Sequence, residues 1–292
     1  MENEKSFLKL SSVDIAPGIR LKIPTVGEIL DNESSYYSLT SSLTSSAFTF
    51  MVQLDDMGKD YTKTSDWELF RILFLRYTHQ IMACKSKILE ITMAMKQFKN
   101  KSKEYMECVN QINFLNNTVK DIGFDMVFDN LVVAEEQNGI IVGFEEYTDE
   151  KGNIVLYNSF TDVQIDEFVY TNIADTIRKI NLYKKVTYKA GNENAKKYLL
   201  EKERKKLNRL KKKKYNPYLE NVVVSLVNAS EFPYDYDSCM DLSIYRFNRS
   251  LHQIQHKIAF DNTMIGVYAG TVDIKKINDK ESLSWIQTKL QL

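Results

Sequence analysis

Large apolar residues recur at three- and four-residue intervals along the chain from Trp67 through Phe70, Phe74, Tyr77, Ile81, Cys84, Ile88, Ile91 and Met95 to Phe98. This spacing keeps one face of an α-helix apolar throughout. Thr64–Ser65–Asp66 offers an N-cap just ahead of it. The register continues past polar Lys99–Lys103 to Tyr105, Val109, Ile112 and Val119. A coiled coil or a long core helix gives such a pattern. Ile72, Leu73, Leu75, Met82 and Met93 widen the stripe beyond a two-stranded seam, which favours core packing. A cofactor-binding role for these Met and aromatic residues is the weaker reading.

Other patterns are shorter. Residues 1–35 read as loosely held: Arg20–Ile23 alternates before Pro24, and Val26, Ile29 and Leu30 suggest a short helix. Ser34–Ser46, with Tyr36, Tyr37, Leu39 and Leu43, reads as an amphipathic helix carrying small polar residues outward. Leu131–Val133, Gly139–Glu146 and Asn153–Tyr157 read as strands, with turns at Gln137–Gly139 and Asp149–Asn153. A small antiparallel sheet follows. Thr161-x-x-Gln164 matches a capping box, opening a helix with Ile165, Phe168, Ile173, Ile177 and Ile180 inward. Leu219–Val227 is compatible with helix or strand, its three consecutive Val favouring strand. Leu242–Phe260 reads as a helix with Phe247, Leu251, Ile254 and Ile258 inward.

Charge changes the picture at one place. The segment Ala195–Tyr215 reads as a helix ended by Pro217, and Lys196–Lys214 carries eleven Lys/Arg against two Glu, a local charge of +9. The whole chain sums to zero, so the remainder carries −9. Tyr198, Leu199, Leu207 and Leu210 give this helix a thin apolar stripe, so it projects or packs along one edge. Lys211–Lys214 is placed in its last turn, where the helix dipole favours cations. A segment so basic stays solvated or meets an acidic partner. The three Cys have no CxxC spacing and are odd in number, which points to a reducing compartment. The first residues lack an apolar stretch of signal-peptide length, and no apolar run reaches the ~18 residues of a membrane span.

Catalytic chemistry finds little purchase. His252-Gln-Ile-Gln-His256 has i, i+4 metal-ligand spacing, but Gln253 stands where a zincin needs its Glu base, so a solvated helix face is favoured. No nucleophile elbow and no phosphate-cradling glycine motif is present. Asp55–Asp56 and Glu135–Glu136 are adjacent pairs whose side chains diverge rather than converge as a dyad. No enzyme, cofactor or metal is expected. Nucleic acid is the rival partner for the +9 helix. Yet Tyr198 and Tyr215 lie only at its ends, without the interleaved aromatics of single-strand readers, which makes nucleic acid the lesser reading.

Several strings taken in order carry a family resemblance. They are Ile23–Ile29 (IPTVGEI), Met51–Gly58 (MVQLDDMG), Trp67–Phe70 (WELF), Ile177–Asn181 (IRKIN) with Ala190–Asn192, Lys202–Lys206 (KERKK), Leu242–Phe247 (LSIYRF), Gly266–Asp273 (GVYAGTVD) and Ser284–Ile286 (SWI). Together they resemble the tail assembly chaperones of tailed phages of Gram-positive bacteria. The resemblance implies a non-catalytic, late-expressed protein that coats the tape measure protein and recruits tail tube subunits. It also implies residence in the host cytoplasm and absence from the finished virion. Some members of the wider class are made in short and frameshifted long forms.

The sequence therefore predicts an α+β fold, mostly α-helical, with long helices and a small antiparallel β-sheet. Three segments are expected: 1–65 with short helices, 66–190 with the helical core and sheet, and 191–292 with the basic helix and C-terminal helices. The candidate partner-binding residues are Lys205, Lys206, Arg209, Lys211, Lys212, Lys213, Lys214, Trp67, Phe70 and Phe74. The expected partners are tape measure and tail tube proteins, with self-association also open. A structural tail or head-tail role within the virion and a nucleic-acid role are the alternatives.

Overall fold

The structure, a computed structural model, describes residues 6–186, 188, 190–213 and 216–287. It is the mostly helical α+β fold expected, with two antiparallel sheets. Near the N-terminus, β1 (Ser12–Ala16) and β2 (Ile19–Lys22) form a hairpin, followed by α1 (Val26–Asp31), α2 (Glu33–Thr44) and α3 (Met51–Asp56). Two longer helices come next, α4 (Asp66–Met95) and α5 (Lys103–Lys120), and then the short α6 (Phe124–Val127). A four-stranded meander contains β3 (Ala134–Gln137), β4 (Ile140–Thr148), β5 (Ile154–Asn158) and β6 (Val163–Ile165) in sequential order. The C-terminal part holds α7 (Glu167–Asn181), α8 (Glu193–Leu210), α9 (Leu219–Val227), α10 (Tyr236–Met240) and α11 (Ile244–Tyr268).

Of the segment 1–35 expected to be loosely held, residues 6–35 are ordered into the hairpin, α1 and the start of α2; residues 1–5 lie outside the described residues. Pro17–Gly18 turns the first hairpin, with Gly18 at φ +75°, a conformation that suits glycine. A Cβ on Gly18 would also lie 2.5 Å from Val163 Cγ2. Ile19 and Leu21 of β2, and Ile23 just after it, alternate inward and are buried.

The apolar stripe of α4 divides into two halves. In the first half it is core. Trp67, Phe70 and Phe74 stack successively with centroids 5.8 and 5.3 Å apart. Tyr170 of α7 lies 4.6 Å from Phe70, and Phe144 of β4 meets Phe74 edge-on at 5.3 Å. Such aromatic pairs each add about 0.5–1.5 kcal/mol beyond area burial. Past Cys84 the stripe is mostly half-buried. The chain turns at 96–102, so the continued register from Tyr105 belongs to α5, packed back along α4. Its half-buried Tyr105, Cys108, Val109, Ile112, Leu115 and Val119 form the α4-facing seam. Not one residue of α5 is fully buried, and Phe114 on its far side is 71% exposed.

The sheet corrects several local expectations. It begins at Ala134, not Leu131: the Val132 carbonyl accepts from the side chain of buried Asn158 at 2.9 Å instead of from a neighbouring strand. Asn138 and Gly139, both at positive φ, make the two-residue turn joining β3 to β4. Thr161-x-x-Gln164 is no capping box. Val163 and Ile165 point inward from β6, which pairs with β5. Asp166 is the true cap, accepting from Val169 N at 2.8 Å. Phe168 consequently faces solvent at 73% exposure, while Ile173, Ile177 and Ile180 are buried as expected. Ile258 of α11 is likewise exposed, because only the first half of that helix enters the core.

Polar groups fix the helix ends. Arg178 is buried and donates to Asp175 and to the Thr44 carbonyl, both at 2.6 Å, placing a cation at the C-terminus of α2. The Tyr36 hydroxyl donates to Asn181 Oδ1 at 2.9 Å in the same seam. Small polar residues of α2 face inward as well as outward: Thr40 and Ser42 are buried, satisfied by the carbonyls four residues back. Thr25 caps α1 in a capping box with Glu28. Ser243 caps α11, and the two caps form an antiparallel bridge. Val26 N donates to the Leu242 carbonyl at 2.9 Å, and Ile244 N to the Pro24 carbonyl at 2.8 Å.

Leu219–Val227 is a helix despite its Val run. Its N-terminus has no local side-chain cap. Buried Glu33 supplies one from a distant part of the chain, Oε1 accepting from Tyr218 N at 2.8 Å and Leu219 N at 3.0 Å. Glu33→Ala leaves the buried Leu219 N–H and the part-buried Tyr218 N–H without their acceptor, and urea unfolding is expected to show a loss of about 1–3 kcal/mol. Glu33→Gln retains an amide oxygen and should lose measurably less.

Candidate functional site

The basic helix is shorter than its charge. α8 ends at Leu210, with Lys211 as C-cap, so Lys212 and Lys213 lie beyond the helix and Pro217 does not end it. The last apolar anchor is Leu207, and nothing buried holds the chain in helical register after it. Lys214 and Tyr215 lie outside the described residues.

α8 is amphipathic in charge as well as hydropathy. Leu199, Leu200 and Leu207 pack against a small second core built from Ala47, Met51, Val52, Leu54, Tyr61, Leu69 and Leu73. Tyr198 and Leu210, expected in the stripe, are instead exposed. Flanking the leucines, Arg204 donates one guanidinium nitrogen to both Asp55 and Asp56, at 2.6 and 2.7 Å. The adjacent carboxylates thus converge, contrary to expectation, because one cation bridges them. Lys196 Nζ lies 2.7 Å from Asp60 Oδ2. The Asp60 carboxyl is held well below the usual carboxylate range, first by the Lys196 hydrogen bond and then by those from Thr62. The same hydrogen bond raises Lys196.

The acidic partner of the inner face is therefore within the chain. The outer face has no such partner. Lys205, Arg209, Lys211, Lys212 and Lys213 are exposed and make no ion pair among the described residues. Lys206 is also exposed and pairs with Glu203 one turn away at 2.9 Å. Exposed pairs of this kind add little stability. Trp67, Phe70 and Phe74 are at most 8% exposed and are core residues that present no surface to a partner. The structure thus leaves the described basic candidates, Lys205, Lys206, Arg209, Lys211, Lys212 and Lys213, exposed and sets the aromatic ones apart in the core.

The polar face of α11 is occupied rather than solvated. Gln253 Nε2 donates to the Trp285 carbonyl at 2.7 Å, and Gln253 Oε1 accepts from Gln287 N at 3.2 Å. His256 Nε2 lies 2.8 Å from the Ser284 carbonyl. These contacts explain the amide at 253: one side chain both donates and accepts toward a passing backbone, which a carboxylate does not. Among the described residues no group of His, Cys, Asp and Glu is arranged to hold a metal ion.

Residues 211–288 match the family described as the YomV second domain. This family is phage-type, consistent with a phage protein. No curated protein and no solved structure matches the chain. The matched stretch begins where α8 ends and takes in α9, α10, α11 and the segment clasped by Gln253. Among the described residues no helix is long and apolar enough to cross a membrane.

Two outcomes are expected. Asp60 contributes to docking of α8 above its unfolded pKa of about 4 and loses that contribution as pH falls through its lowered folded value. Lys196 contributes below about 10.4 and loses it as pH rises through its raised folded value. Amide exchange of residues 193–210 should hence be protected to a constant degree between about pH 5 and pH 9, after correction for intrinsic rates, and fall in acid. Arg204→Glu should accelerate that exchange at neutral pH, leaving α4 protected. In α11, Gln253→Glu keeps the acceptor but removes the donor. Faster exchange at Gln287 without loss of global stability is the expected result.

Proposed function

We propose that this is a non-enzymatic phage morphogenesis protein, a tail assembly chaperone that binds the tape measure protein and recruits tail tube subunits. The observation that carries the reading is the match of residues 211–288 to a phage-type family. It joins the ordered strings, from Ile23–Ile29 to Ser284–Ile286, that resemble tail assembly chaperones.

The geometry is compatible with holding an extended helical client. The α4–α5 hairpin has a thin seam and leaves Met93, Phe98, Met106 and Phe114 exposed. Exposed apolar residues along a helical hairpin suit a long amphipathic partner. This moves the expected apolar contact from Trp67, Phe70 and Phe74 to the outer half of the hairpin. The host cytoplasm is the proposed place of action, with no cofactor required and with the protein left out of the mature virion.

Mass spectrometry on two samples from one infection tests this. Tagged protein from the lysate should bring down tape measure or tail tube protein, and purified virions should lack it. Stoichiometric presence in virions would replace the chaperone reading with a structural one. For the nucleic-acid alternative, a gel shift should show no binding even at low salt, since a phosphate-binding helix is strongest there.

A further inference from the structure

The outward face of α8 is one half of a complementary pair of surfaces. Lys205 and Arg209 of α8, with Lys211, Lys212 and Lys213 at and just beyond its end, are exposed without ion-pair partners among the described residues. The other half follows closely in sequence. Between Asn228 and Leu242 there are four acids, Glu231, Asp235, Asp237 and Asp241, and neither Lys nor Arg. All four acids are exposed, as are Tyr234 and Tyr236 between them. No ion pair among the described residues joins the two surfaces within one chain. Glu231 pairs instead with Lys257 at 3.6 Å.

We propose that α8 and Lys211–Lys213 at its end dock on the acidic, tyrosine-bearing segment 231–241 of a second copy of this chain. Self-pairing goes beyond the tail-assembly reading and does not depend on it. Three observations favour a second copy over a polyanion. The chain sums to zero charge while holding a +9 segment, so like copies do not repel as wholes yet expose strongly opposite patches. The inner face of α8 already meets carboxylates, those of Asp55, Asp56 and Asp60, so the same helix displays the required pairing chemistry. Tyr234 and Tyr236 supply flat rings on which Lys and Arg stems can lie, and Tyr and Arg are enriched at protein interfaces. The basic stretch carries Tyr198 and Tyr215 only near its ends and no aromatic residue interleaved among its cations, the arrangement that stacked bases would need.

Sedimentation velocity on the full chain tests the pairing. Association is expected at about 50 mM salt and should weaken by about tenfold or more at about 500 mM, where the Debye length shrinks to a few ångströms. The variants K205E/R209E/K212E and D237K/D241K change exposed residues that form no ion pair, so each should keep its far-UV spectrum. Each alone should sediment as a monomer, and an equimolar mixture should recover the complex, since each then carries the surface the other lacks. A wild-type protein monomeric at both salts overturns the proposal. So does association that survives either reversal, or failure of the mixture to recover. Duplex DNA shifted at low salt by wild type but not by K205E/R209E/K212E would assign the face to nucleic acid instead.

Discussion

Two helix N-termini lie back to back in this fold, and each completes the other. The first turn of an α-helix leaves N–H groups without intrahelical acceptors. Val26, first in α1, gives its N–H to the carbonyl just before the cap of α11, and Ile244, first in α11, gives its own to the carbonyl just before the cap of α1. Thr25 and Ser243 then satisfy further donors in their own helices. The arrangement joins positions more than two hundred residues apart. A Cβ on Gly27, in the same turn of α1, would stand 3.3 Å from that of Met240, so the approach of α1 to α10 is close. Glu33 repeats the logic one helix later by capping α9. The region resembling the YomV second domain is thereby stitched to the N-terminal elements by backbone bonds as well as by the main core.

Charge is handled by segregation. One face of α8 is neutralised by three aspartates from the segment around α3, and the opposite face is left to solvent or to a partner. The leucines between do the holding, because apolar burial yields more than exposed ion pairs do. The charges set which face turns inward. A helix so arranged stays docked while its outer cations remain available.

Much of this was legible in the chain. The three-four stripe from Trp67 marked α4, and the Asn138–Gly139 turn marked the β3–β4 hairpin, because periodicity and turn chemistry are local properties. Local rules also misled. Thr161-x-x-Gln164 fits a capping box, but Val163 and Ile165 gain more by facing the core from a strand, and Asp166 caps a helix that starts later. The Val run of Leu219–Val227 favours strand until a carboxylate from α2 satisfies its helix start. Glu33 gave no signal, since its partners lie 185 and 186 residues away. Of the candidate site, the described basic residues stand on the surface as their charge requires. Trp67, Phe70 and Phe74 do not, since the largest apolar side chains are the ones a core takes first.

The Gln253 amide recognises only main-chain atoms of the segment it holds, at Trp285 and Gln287. Such a clasp is blind to side-chain identity. What gives it selectivity is tethering: the segment returns from the end of α11 through residues 269–283, so its local concentration at Gln253 is set by the length of that connection. Residues 284–287 thus behave as a ligand supplied in cis, and lengthening the turn after Tyr268 would dilute them without altering a single contact.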